Sequence, residues 1–198
     1  MLRIRNLSER PEAHGVRRRL VGSVRVYTGD VATSARPVVL DAVLGSCVAV
    51  CLHDPYLSAG GMNHILLPGS GADLRCTRFG VHAMELLINE LMKQGGDRRR
   101  FVAKAFGGAN VLHGLISASI GDRNAEFVRE FLATEKIPLV AQRLGGLHPV
   151  YVSFKTDTGK ARVRCVECSQ CSKVAQAEAA YWRSHLADRD LSGETTLF

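Results

Sequence analysis

The stretch VLGSCVAVCLHDP (residues 43–55), followed by AGGMNHILLP (59–68), decides how this chain is read. An apolar run is broken by Gly45-Ser46-Cys47, resumes through Cys51 and stops at Asp54-Pro55. Both apolar segments are short and bounded by turn residues, which suits two strands joined by a tight turn. Such a pair would bring Cys47 and His64 side by side at its open end. A cysteine after Gly-Ser sits where the backbone can turn tightly and approach a ligand, and N–H groups of such a turn can face an oxyanion. Cys51 lies inside the second run with no turn beside it and reads as a small buried hydrophobe. For Cys47 the residues alone leave two readings open, nucleophile or packing. A nucleophilic cysteine needs a base that lowers its pKa and relays a proton. Among seven histidines, His64 is the leading candidate, because the proposed strand pair carries it toward Cys47. His53 reads as a turn residue, His82 as a helix residue, His113 and His148 as loop residues, and His185 as part of the tail.

Working outward, SVRVYTG (23–29) alternates apolar and polar residues and VVLDAV (38–43) is a short apolar run, so both read as strands. FGVHAMELLINELMKQ (79–94) is the best helix, with Met84, Leu87, Ile88 and Leu91 at helical spacing and Gly95-Gly96 as its stop. FVAKAFGG (101–108) reads as a strand entering a glycine turn, and Asn124 as the N-cap of a second helix, AEFVREFLATEK. IPLVAQRLGG, PVYVSF and ARVRCVE are three more strands, the last two joined as a hairpin around Asp157–Gly159. The sum is mixed α/β, with many short strands and two main helices. Several connections are too short for helical crossovers, so the sheet must be mostly antiparallel or mixed. Residues 1–21 read as a flexible basic arm, 22–167 as the domain, and 168–198 as an alanine-rich, helix-prone extension.

The 198 residues suit one domain with appendages, and 46% hydrophobic with 23% charged residues is an ordinary globular composition. The net charge of +7 gathers in the arm and at Arg98–Arg100. No aromatic-interleaved basic motif accompanies it, which argues for solvated surface over a nucleic-acid site, with attraction to an acidic protein surface between the two. No apolar stretch approaches membrane length and the N-terminus has no signal-peptide h-region, so the expected location is cytoplasmic, without membrane insertion. The six cysteines are then expected as reduced thiols.

The motifs LGSCVAVCLHDP, GGMNHILLP, FGGAN, IGDRN and TDTGKARVRCV, in that order, resemble the chemoreceptor glutamine deamidases, the CheD family, over about residues 23–167. The resemblance implies a layered α/β sandwich with a cysteine-hydrolase-like site. It implies hydrolysis of receptor glutamine side chains to glutamate and ammonia, without a cofactor. Its nucleophile falls on Cys47 and its histidine on His64, with Gly45 and Ser46 at the oxyanion turn. The family's third residue, typically threonine, falls on Asp41. There a carboxylate could hold the imidazole tautomer, as in other triads, or leave that task to another group or a backbone carbonyl. A second departure is His148-Pro149, where the family tends to carry a basic residue. The implied partners are the cytoplasmic domains of methyl-accepting chemoreceptors and a chemotaxis phosphatase of the CheC type.

A competing reading rests on CVECSQC, which spaces Cys165, Cys168 and Cys171 regularly, as zinc knuckles do. With His185 or Cys76 as fourth ligand, the chain would be a zinc-containing adaptor for an acidic or nucleic-acid partner. No second pair follows at finger spacing, and this reading leaves Gly-Ser-Cys and Met-Asn-His unexplained.

Overall fold

The two apolar runs flanking Asp54-Pro55 form an antiparallel hairpin, Val48–Asp54 (β5) with Ala59–Asn63 (β6). The computed structural model describes residues 3–7, 22–67, 74–110 and 120–167, together with 171, 173, 174, 176, 177, 180 and 181; of 74–78 it describes the backbone alone. Around the hairpin lie the strands Arg3–Asn6 (β1), Ser23–Arg25 (β2), Asp30–Ser34 (β3), Val39–Leu44 (β4), Val102–Gly107 (β7), Leu139–Leu144 (β8), Val150–Lys155 (β9) and Ala161–Cys165 (β10). The helices are Leu74–Lys93 (α1) and Ile120–Thr134 (α2).

A six-stranded sheet has the order β1-β3-β6-β5-β7-β8, and a four-stranded sheet the order β10-β9-β4-β2. Both are mixed. The pairs β1/β3, β7/β8 and β2/β4 are parallel and the others antiparallel. The central strand β5 shows why its sequence is an unbroken apolar run. Val48, Val50 and Leu52 pack toward Met84, Leu87, Ile88 and Leu91 of α1 and Val128 and Leu132 of α2. The alternate residues Ala49 and Cys51 pack toward Leu40, Ala42 and Leu44 of β4 and Val152 and Phe154 of β9. A strand covered on both faces has no solvent side and needs no polar alternation. The layers are therefore helices, six-stranded sheet and four-stranded sheet, the layered α/β sandwich expected.

The differences are local. Helix α1 begins at Leu74, ahead of Phe79, and ends in a glycine cap in which Gly95 (φ 95°) and Gly96 donate to Met92 and Leu91. Helix α2 begins at Ile120, so Asn124 is not an N-cap; it is a fully buried interior residue whose amide serves tertiary contacts. Strand β3 was not expected: all five of its residues are buried, so the alternation that marks a half-buried strand is missing. Within the span read as a flexible arm, Arg3–Asn6 pair with β3, and Arg5 bridges Asp30 at 3.2 Å. Residues 1, 2 and 8–21 of that arm, His113, Cys168, Trp182, His185 and Leu186, and the side chain of Cys76, lie outside what is described.

The hairpin turn is held by Asp54, which is fully buried. Its carboxylate accepts from the backbone N–H groups of Tyr56, Leu57 and Asp97 and from the Arg100 guanidinium at 2.7 Å. Burial works to raise this carboxyl, but Arg100 and the three N–H groups outweigh it and hold it at about 2. Replacing Asp54 with alanine strands those donors and is expected to cost about 3 kcal/mol at pH 7 in urea melts. Because the folded value lies below that of an unfolded aspartate, ~3.9, the contribution is complete above it and fades as pH falls toward 2. The difference between wild type and Asp54→Ala should shrink over that window.

Candidate active site

Strand β4 runs into the turn Gly45-Ser46-Cys47 and the chain re-enters the core as β5. The turn is clamped through its carbonyls. Ala109 N–H donates to Gly45 and Gly108 N–H to Cys47, each at 2.7 Å, and Asn124 Nδ2 donates to Ser46 at 2.8 Å. The other amide atom of Asn124 accepts from Leu67 N–H, so one α2 side chain ties the cysteine turn to the segment carrying His64. The clamp needs glycine at 107. Its φ is 104°, and a Cβ there would stand 2.2 Å from the Cys47 carbonyl oxygen. The FGGAN motif thus works as the seat of the cysteine turn.

His64 lies just beyond β6, where Val48 and Ile65 continue the ladder as an isolated bridge. The segment 26–30 wraps around it. His64 N–H donates to the Asp30 carbonyl at 3.1 Å, and its carbonyl accepts from Gly29 N–H at 2.9 Å. Its ring Nδ1 is 3.1 Å from the Val26 carbonyl, and Nε2 is 3.4 Å from Thr28 Oγ1. A carbonyl can only accept, so Nδ1 carries the proton and Nε2 is the basic nitrogen. Thr28 Oγ1 also lies 3.9 Å from Cys47 Sγ. Cys47 is 1% exposed and His64 5% exposed, and both line a cavity of about 490 Å³.

Asp41 lies elsewhere. Leu40, Ala42 and Leu44 face the core between the sheets, so strand alternation turns Asp41 to the opposite face. There its Oδ2 accepts from the Ser23 hydroxyl and its carboxylate meets the Tyr151 hydroxyl, while Oδ1 is buried without a hydrogen-bond partner. Its backbone does reach the site indirectly: the Asp41 carbonyl accepts from Val26 N–H at 2.8 Å, fixing the residue whose own carbonyl meets His64. Burial pushes the Tyr151 hydroxyl pKa up, and Asp41 adds to that. The Arg25 and Arg164 guanidinium groups lie over the ring, 5.5 and 4.6 Å from its centroid, and Arg25 also lines the cavity. Val26 and Thr28 had no signal of their own in the sequence beyond a Thr-Gly turn after a strand.

His53 and Cys51 are structural. His53 Nε2 is 3.3 Å from the Asp157 carbonyl, and burial lowers its pKa. Burial also raises the Cys51 thiol pKa far above its ordinary value. Cys165 accepts from Arg143 Nη2 at 3.0 Å, and Cys171 Sγ points to the Val166 and Glu167 carbonyls. Among the described residues no group of three or more His, Cys, Asp or Glu side chains could hold a metal ion. Nor is any described helix long and apolar enough to cross a membrane.

Comparison with known proteins agrees with the motif reading. A family model described as CheD chemotactic sensory transduction matches residues 66–165. A "Probable chemoreceptor glutamine deamidase CheD" of Burkholderia orbicola (strain MC0-3) is 50% identical over 171 residues, 84% of this chain and 68% of that protein. "Probable chemoreceptor glutamine deamidase CheD 1" of Burkholderia thailandensis is 48% identical over 183 residues, 90% of this chain and 76% of that one. Among solved structures, "Crystal structure of Bacillus licheniformis hypothetical protein YfiH" aligns with a TM-score of 0.40 and 17% identity, over 57% of this chain and 49% of that one. Matched by the family model over half its length and by relatives at this identity over most of it, the chain belongs to the CheD family.

Proposed function

We propose that this chain deamidates glutamine side chains on the cytoplasmic domains of bacterial chemoreceptors, in chemotaxis. Relatives at about half identity carry that name, and one observation fits the chemistry to this chain. That observation is Cys47 in a tight turn sharing a cavity with a histidine whose basic nitrogen faces the thiol side. Binding and regulation of a CheC-type phosphatase, the partner that the motif resemblance implies, belongs to the same proposal.

The mechanism proceeds through a thioester. His64 Nε2 takes the Cys47 proton, and the thiolate forms a bond to the glutamine δ-carbonyl carbon. Backbone N–H groups of the Gly45-Ser46-Cys47 turn are the oxyanion donors in this reading, on a turn fixed through its carbonyls by Ala109, Asn124 and Gly108. As the tetrahedral intermediate collapses, the C–N bond breaks and His64 gives its proton to the departing ammonia. Water, deprotonated by His64, then attacks the thioester; the C–S bond breaks, glutamate leaves, and the proton returns to sulfur. The Val26 carbonyl holds the tautomer, the task a carboxylate performs in other triads. Thr28 holds Nε2 in line with the thiol. Asp41 works through β2, not on the ring.

The assay is ammonia release from purified receptor cytoplasmic fragments. Wild type should release ammonia. Thr28→Val should be slower by about tenfold, the ~1.5 kcal/mol of one hydrogen bond to a charging group. Asp41→Asn should stay within about threefold of wild type, because a contact outside the reacting groups carries little of the barrier. No ammonia from any receptor fragment would refute deamidation. A larger loss for Asp41→Asn than for Thr28→Val would refute this assignment of the orienting groups.

A further inference from the structure

Cys47 lines its cavity with almost no surface of its own exposed. A glutamine presented by another protein must bring its amide carbon against Cys47 Sγ, yet Cys47 is 1% exposed. Part of the wall of that cavity comes from the C-terminal extension. The described residues of that segment, 171, 173, 174, 176, 177, 180 and 181, have α-helical backbone. Lys173, Val174, Ala177 and Tyr181 line the same cavity as Cys47 and His64. Their spacing is that of one helix face. Gln176, off that face, is exposed and does not line the cavity. Tyr181 packs against the core cluster between the sheets, and its hydroxyl lies over Gly29, 3.6 Å from where a Cβ would stand. Burial and the neighbouring Cys47 raise the Tyr181 hydroxyl to about 12.

The other walls cannot easily move. Val48 and Ile65 are joined by paired backbone bonds of 2.9 and 2.7 Å, the 26–30 segment is tied to His64, and the cysteine turn is clamped to 107–109 and Asn124. The extension adds to the cavity a partly exposed face, with Lys173 and Ala177 exposed and Val174 and Tyr181 half-buried.

We infer that the extension is an autoinhibitory strap: its Val174, Ala177 and Tyr181 face occupies the surface on which the substrate protein docks, and Cys47 becomes reachable when that face is displaced. The substrate part of this statement rests on the deamidase reading; the occlusion of Cys47 does not. Swinging the strap away would expose Cys47 and His64 between the 26–28 segment and the end of β4, with Arg25 at the rim. The cost of displacement lowers activity toward any substrate too weak to compete, and a partner that held the extension would raise it.

The test measures alkylation of individual thiols by iodoacetamide, read by peptide mass, on the full chain. Val174→Asp and Tyr181→Asp each put a charge on the face that lines the cavity. Both are expected to alkylate Cys47 about tenfold faster than wild type, as the open fraction rises. Gln176→Ala should match wild type. Cys51, fully buried, is an internal reference and should stay unlabelled in every variant. Should a charged variant label Cys51 as well, the milder Val174→Ala/Tyr181→Ala pair is read in the same way. A Cys47 rate unchanged or slowed with Cys51 protected overturns the strap. Alkylation needs no receptor, so the two claims fail separately. Faster labelling without ammonia release from receptor fragments would refute the deamidase reading alone. Ammonia release with unchanged labelling would refute the strap alone.

Discussion

Cys47→Ala is expected to lower the deamidation rate constant by about 10⁴- to 10⁶-fold, the loss seen when an acyl-transfer nucleophile is removed. The effect is large because His64 and the oxyanion turn have nothing to act on once sulfur is gone. It should be specific to the chemistry. The substitution removes one buried sulfur from a turn whose clamps are all backbone carbonyls, so Gly108, Ala109 and Asn124 keep their bonds. Denaturant melts should therefore stay close to wild type, and receptor fragments should still bind. An adaptor without enzymatic activity would instead show equal receptor conversion, namely none, for both proteins. A Cys47→Ala variant that retained a tenth of the wild-type rate would remove Cys47 from the mechanism.

The second large effect is expected at a residue with no functional group. Gly107→Ala must place a methyl where the Cys47 carbonyl oxygen already stands, on a backbone with positive φ. Strain of that kind and overpacking each cost ~1–3 kcal/mol, so the variant should lose about 3–5 kcal/mol in urea melts. The easiest relief is a shift of the cysteine turn away from β7. Displacing a reacting group by about 1 Å costs about a hundredfold in rate, so kcat of the folded fraction should fall by that much. Wild-type kcat in Gly107→Ala would mean that the turn's position is not set by the seat at 107–109.

The sequence made the hairpin and its ends legible because both carry local signals. Asp54-Pro55 marks the turn, and the unbroken apolar run of β5 marks a strand covered on two faces. The same hairpin carries Cys47 and His64, the proposed nucleophile and base, into one cavity, the juxtaposition that its spacing suggests. What surrounds His64 could not. Val26 meets the imidazole through a carbonyl oxygen, which every residue has, and Thr28 reaches it across a long separation in sequence. Asn124 was misread because a short polar residue before an apolar run marks a helix start, whereas here the helix already began at Ile120. Asp41 carried a warning in plain view. Strand alternation sets it opposite Leu40 and Ala42, and the position six residues before the cysteine says nothing about which group it meets.

The position of Asp41 also makes sense of the residues around it. Ser23, Arg25 and Tyr151 gather on the outer face of the four-stranded sheet and hold β2 against β4. The strand so fixed delivers Val26 to His64. In the proposed mechanism a substitution at 41 acts on the site through the placement of the Val26 carbonyl.

Deamidation through a thioester is tested most directly by site-resolved mass spectrometry of a receptor cytoplasmic fragment incubated with wild-type protein, with and without hydroxylamine. Without it, particular glutamines should become glutamate. With it, the same positions should appear in part as glutamyl hydroxamate, because an acyl-enzyme passes its acyl group to the stronger nucleophile. Receptor glutamines left unchanged in both incubations would rule out deamidation, and conversion to glutamate with no hydroxamate at any position would rule out the thioester.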